Sequence, residues 1–152
     1  MTAAVEIKAD ELTRHLPASC PNELAYLLGL LAPRGQRLTW AILDLEAIGH
    51  LSDGTNMLDL ERQVAESPTG LVLDWDALVA LADDFSQVIN ATIVGCRHAG
   101  SIPPLAPEID LAASAEIVVE AIDSSLWRVT AQDEQVLARL PGQRLVIDEQ
   151  HA

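Results

Sequence analysis

Cys96 and His98 are the first residues whose types suggest reactivity. If a strand runs through His98, both side chains share one face, because extended chain repeats every two residues. Gly95 and Gly100 would leave the backbone open around them. A thiolate beside an imidazole can serve as a nucleophile or as half of a metal site. Same-face neighbours on one strand are too widely spaced to hydrogen-bond easily, however, and no third orienting group is identifiable. The expectation is a buried small residue at Cys96 and a strand-end histidine at His98, with the Cys96/His98 enzyme kept as an alternative.

Paired carboxylates come next. Asp44 with Glu46, and Glu116 with Glu120, each share one face of a strand by the same two-residue rule. General acid–base chemistry would need one member of a pair buried with a raised pKa. Sequence carries no sign of that burial, so these pairs read as a solvated sheet face or as a face for a partner. Asp123-Ser124-Ser125 would offer a serine beside an acid, but a tight turn accounts for it and no third triad member can be placed. Asp53-Gly54-Thr55 resembles a fragment of a calcium loop without the spaced carboxylates or the closing Glu, and reads as a turn. Phosphate-binding glycine loops, zinc-protease helices and nucleophile elbows are absent as motifs. No cofactor and no metal are expected.

Bulk composition narrows the partners. Nine Lys and Arg stand against 23 Asp and Glu in 152 residues, so the formal charge is 9 − 23 = −14. A hydrophobic fraction of 49% is too high for a disordered chain. With Lys8 as the single lysine, nucleic-acid backbone binding is disfavoured. Cys20 and Cys96 lie far apart and match no zinc spacing. Glu6, Lys8, Asp10 and Glu11 interrupt any apolar leader region, and the strongest apolar run, Leu24 to Pro33, is half a membrane span. A cytoplasmic protein of one domain, residues 1–152, is expected, with no membrane partner.

The elements that must position these residues follow from periodicity. Val5, Ile7 and Ala9 alternate with Glu6 and Lys8 as a short strand, and Asp10 caps a brief helix through Leu16. Pro21 suits a first helical position after a Ser19 or Cys20 cap, opening an almost wholly apolar helix from Glu23 to Ala32 that Pro33 and Gly35 end. Leu38 to Glu46 reads as a strand, with Trp40, Ile42, Asp44 and Glu46 on one face and Ala41, Leu43 and Leu45 on the other.

Asn56 caps a helix bearing Met57, Leu60 and Val64, and Asp74 caps another bearing Trp75, Leu78, Val79, Ala82 and Phe85. Asp83-Asp84 at the end of that helix opposes its dipole, which points to a basic neighbour or a tolerated misfit. Val88 to Cys96 is a strand, and the proline-rich stretch from Ala99 to Leu111 is a loop. Glu116 to Asp123 and Leu126 to Thr130 form two strands joined at Ser124-Ser125. A helix beginning at Thr130 with Asp133 or Glu134 carries Val136, Leu137 and Leu140, and Leu145 to Ile147 closes as a strand. The fold class is α+β: a largely antiparallel sheet with helices packed on one face.

The stretch Glu116-Ile-Val-Val-Glu120-Ala-Ile-Asp123-Ser-Ser-Leu-Trp127-Arg-Val, followed by a short helix, resembles the C-terminal part of small acidic bacterial proteins, some encoded beside toxins as immunity factors. The resemblance covers about a quarter of the chain and transfers no functional residue. Together with the −14 charge, the missing catalytic motifs and the single domain, it points to a small acidic binding domain, an immunity-type inhibitor of a basic toxin. A homodimeric structural subunit is the other alternative. The binding residues expected are Asp44, Glu46, Glu116 and Glu120, with Trp127 as an aromatic anchor or, alternatively, a core residue.

Overall fold

The computed structural model describes residues 2–106 and 108–146. The alternation at the start of the chain makes β1 (Ala3–Lys8), with Val5 and Ile7 fully buried and Glu6 on the opposite side. The chain turns at once into α1 (Ala9–His15), where Asp10 accepts the Glu11 N–H instead of capping the helix. Next comes α2 (Glu23–Gly35), capped by Asn22 rather than by Ser19 or Cys20. Asn22 is 3% exposed and is fully used. Its carbonyl accepts from Ala25, and its amide donates to the Ala82 and Phe85 carbonyls. The cap is thereby also a tie between helices.

Pro33 does not end α2. It sits exposed inside the last turn, where the ladder bond it cannot donate would have gone to the exposed Gly29. Helix α2 stops at Gly35, against which the Trp75 ring packs so closely that a Cβ would stand 2.6 Å from its Cζ3. Trp40 donates its indole N–H to the Gly35 carbonyl at 2.9 Å, and the two tryptophan rings lie 5.8 Å apart.

Strand β2 (Thr39–Gly49) leads into α3 (Met57–Glu66), capped by Asn56. A three-residue strand, β3 (Leu71–Leu73), escapes sequence reading because it is too short for periodicity. It pairs with Trp40–Ile42, and its entry requires Gly70, whose φ is +65° and whose Cβ would collide with the Ile42 carbonyl. Helix α4 (Trp75–Asp83) is capped by Asp74, and Phe85 belongs to the following strand β4 (Phe85–Cys96) rather than to the helix. The partner of Asp84 is Ser52, through its N–H and its hydroxyl, not a basic group.

A single 3₁₀ turn, Ala99–Ser101, opens the predicted loop, and a short helix, α5 (Leu111–Ser114), follows at its end. Then come β5 (Ile117–Ile122) and β6 (Leu126–Ala131). Thr130 lies in β6, so the expected helix is only a 3₁₀ turn, Glu134–Leu137, capped by Asp133. Strand β7 (Gln143–Val146) begins earlier than expected, and Ile147 lies outside the described residues.

Seven strands form one sheet in the order β3-β2-β4-β5-β6-β1-β7, every pairing antiparallel. The fold is α+β. Helices α1 to α4 and the 3₁₀ turn bury Leu12, Leu24, Leu27, Leu28, Leu60, Leu78 and Leu137 against one face. The connection between β4 and β5 crosses the opposite face, where Ile102, Leu111 and Ala115 pack on Ala41, Leu43, Val94, Cys96 and Val118. The described residues cover only one end of that second face. No helix among the described residues is long and apolar enough to cross a membrane.

Candidate interaction face

The uncovered end is set by one extra residue in β2. Ile42 pairs with Ile93 and Asp44 with Thr92, so Leu43 is a bulge that shifts the alternation by one. Strict alternation had placed Asp44 and Glu46 on the face of Trp40 and Ile42. The bulge corrects that. Trp40, Ile42, Leu45 and Ala47 all enter the helix-side core, while Asp44 and Glu46 emerge beside Leu43 on the other face. Their shared face was legible; its orientation was not, because a bulge leaves no periodic signature.

Register then aligns polar residues across six strands. Asp44 opposes Thr92, Thr92 opposes Glu120, Glu120 opposes Arg128, Arg128 opposes Glu6, and Glu6 opposes Gln143. Five strand spacings make a row about 24 Å wide. Arg128 donates to Glu6, through Nε at 2.9 Å among others, and both are partly buried. Asp44 is exposed with no side-chain partner among the described residues. One step along, Glu46 accepts from Asn90 at 2.8 Å, and Asn90 in turn accepts the Asp123 N–H at 3.0 Å. Glu46 is therefore aimed by the β5–β6 turn. That turn holds Asp123 and Ser124 at positive φ, and Ser125 closes it on the Ile122 carbonyl. The Ser124 hydroxyl accepts from Gln87 and the Ser125 hydroxyl bonds to Ile122, so both serine hydroxyls take part in turn structure.

Glu116 has a different setting. Arg34, at the end of α2, donates Nε to Oε2 at 2.7 Å and Nη2 to Oε1 at 2.6 Å, and Arg97 adds Nε to Oε1 at 2.7 Å. The Arg34 hydrogen bonds outweigh the opposing cost of burial and, with the one from Arg97, hold the carboxyl at about 2. This carboxylate joins α2 to the entry of β5 and is not free for an outside cation. Trp127 is 4% exposed and lies in the helix-side core. Glu6 and Arg128 belong to the face although the candidate set omitted them. Val5 and Ile7 had already placed Glu6 on the polar side of β1, so its signal was present.

The Cys96 thiol is fully buried in the smaller cluster, and burial, aided by the Glu116 charge, pushes its pKa up. A protonated, enclosed thiol is a poor nucleophile. His98 is exposed, and its Nδ1 lies 3.1 Å from the Ser101 hydroxyl. The same hydroxyl is also within 2.8 Å of the His98 carbonyl, to which it can donate. Among the described residues no group of three His, Cys, Asp or Glu side chains is arranged to hold a metal.

Cys96→Ala should cost about 1 kcal/mol, because only a small volume is lost. Denaturant titration measures the loss. In the native wild type, thiol labelling should modify Cys20, which is only partly buried, well before Cys96. Equal rates would show the smaller cluster to be open.

Compared with protein-family models, with curated proteins and with solved structures, the chain finds no match.

Proposed function

We propose that the protein is a binding domain that captures a basic protein partner on the open end of its sheet, as an immunity-type inhibitor of a basic bacterial toxin would. The observation that carries this reading is the in-register polar row, with Asp44, Glu120 and Glu6 against the single Arg128 and with Glu46 beside it. A polar row about 24 Å wide on a sheet face is on the scale of one side of a standard protein interface. Ile48, 53% exposed on the same strand as Asp44 and Glu46, adds an apolar contact at the margin. The overall charge of −14 extends the attraction beyond contact range and speeds encounter with a cation-rich surface. Two copies of this face would set acid against acid, which disfavours self-association through it.

Asp44 and Glu46 are the side chains to reverse, since both are exposed and neither supports the core. The Asp44→Lys/Glu46→Lys double variant should melt within a few degrees of wild type. Its association rate with a basic partner should fall about tenfold or more. Stopped-flow or surface binding kinetics read that rate, and an unchanged rate would remove this face from the mechanism.

A further inference from the structure

On the helix side of the sheet, the end of α2 and the 3₁₀ turn Glu134–Leu137 enclose a groove of about 350 Å³. Arg34, Arg37 and Arg139 line it, with Asp133 as the single acid among the described lining residues. Leu30, Pro33 and Val136 supply apolar wall. Glu116 and Arg97 sit behind Arg34 and offset one another, so the lining carries +3 − 1 = +2 in a protein of net −14.

That concentration runs against composition. Acids outnumber cations 23 to nine, yet Arg37 and Arg139 are exposed without an acidic partner among the described residues. The negative end of the α2 dipole accounts for Arg34 in its last turn and Arg37 just beyond it, but not for Arg139, which lies past the 3₁₀ turn. Glu116 grips Arg34 by two hydrogen bonds, which fixes the guanidinium at the groove wall. The lining cations are all arginines, whose planar forks match carboxylate and phosphate oxygens in pairs.

We infer that this groove binds a small anion with a compact apolar body, its carboxylate or phosphate head held by Arg37 and Arg139 and its body against Leu30, Pro33 and Val136. The site is independent of the acidic face, which lies across the sheet. Anchored arginine, exposed arginines and apolar wall together select an amphiphilic anion over a bare one, because the bare ion leaves the wall in water.

Amide-resolved NMR titration of the full chain tests this, with phenyl phosphate, benzoate, inorganic phosphate and benzyl alcohol as probes. Phenyl phosphate or benzoate should give saturable shifts confined to Leu30, Arg37, Val136 and their neighbours, and whichever head group binds more tightly identifies the preferred one. Inorganic phosphate and benzyl alcohol should bind at least tenfold more weakly. The Arg37→Gln/Arg139→Gln variant, which leaves the Arg34–Glu116 pair intact, should lose at least tenfold in affinity with unchanged melting. Shifts that never saturate, or full affinity in that variant, would overturn the site. Inorganic phosphate binding as tightly as phenyl phosphate would overturn the amphiphilic ligand.

Discussion

Leu28→Asp should abolish cooperative folding. Leu28 is 1% exposed on α2, between Leu27, Leu24 and Leu31, all in the helix-side core. Helix α2 packs against α1, α4 and the 3₁₀ turn, and its leucines share one core with the sheet, so residue 28 is enclosed on several sides. An unpaired carboxylate there would cost several kcal/mol, and lost leucine packing adds about 2–5 kcal/mol. Together these rival the whole stability of a domain this size. Circular dichroism with thermal melting gives the answer. A cooperative melt near the wild-type temperature would place α2 at a surface, against the burial described above. Leu28→Met, which nearly conserves volume, should fold with a loss below about 1.5 kcal/mol, separating charge burial from mere intolerance at the site.

Glu116→Gln should cost about 2 kcal/mol near neutral pH and almost nothing near pH 2. The folded carboxyl titrates at about 2, held down chiefly by its hydrogen bonds to Arg34, against 4.5 for the ordinary group. A depressed folded pKa adds stability that is present above the unfolded value and lost as pH falls from 4.5 toward 2. The full shift would correspond to about 3 kcal/mol, and solvent screening at the exposed Arg97 and partly exposed Arg34 lowers it to about 2. Urea titrations of both proteins at several pH values test the coupling. Wild-type and Glu116→Gln stabilities should converge on acidification. Parallel pH profiles would mean that the Arg34–Glu116–Arg97 cluster does not stabilise the fold. Glu116→Lys would set three cations together and should be worse than the amide, so charge reversal at this position reports on stability before it reports on binding.

Elements built on strong local signals were readable in the chain. Asn56 and Asp74 cap the helices they were expected to cap, and Leu24, Leu27, Leu28 and Leu31 of the almost wholly apolar α2 are buried. Features that depend on a distant neighbour were not. Asn22 gains its place as a cap from the carbonyls of Ala82 and Phe85, some sixty residues on. Strand β3 exists only because Trp40–Ile42 offers an edge, and the Leu43 bulge is defined only by its partner Thr92. The acidic pairs were visible through the two-residue period, yet Glu116 proved to lie between two arginines that are 19 and 82 residues away. Cross-strand register has no sequence signature. For that reason the row joining Asp44 to Glu6 emerges only when six strands are in place.

Association kinetics across ionic strength test the central proposal most directly. The wild-type protein, immobilised, would capture its partner from the native host, and the rate would then be measured with purified partner at low and high salt. The account predicts a basic partner, a rate that falls steeply as salt screens the acidic face, and a much flatter dependence for Asp44→Lys/Glu46→Lys. An acidic partner, or a rate indifferent to both salt and these reversals, would contradict it.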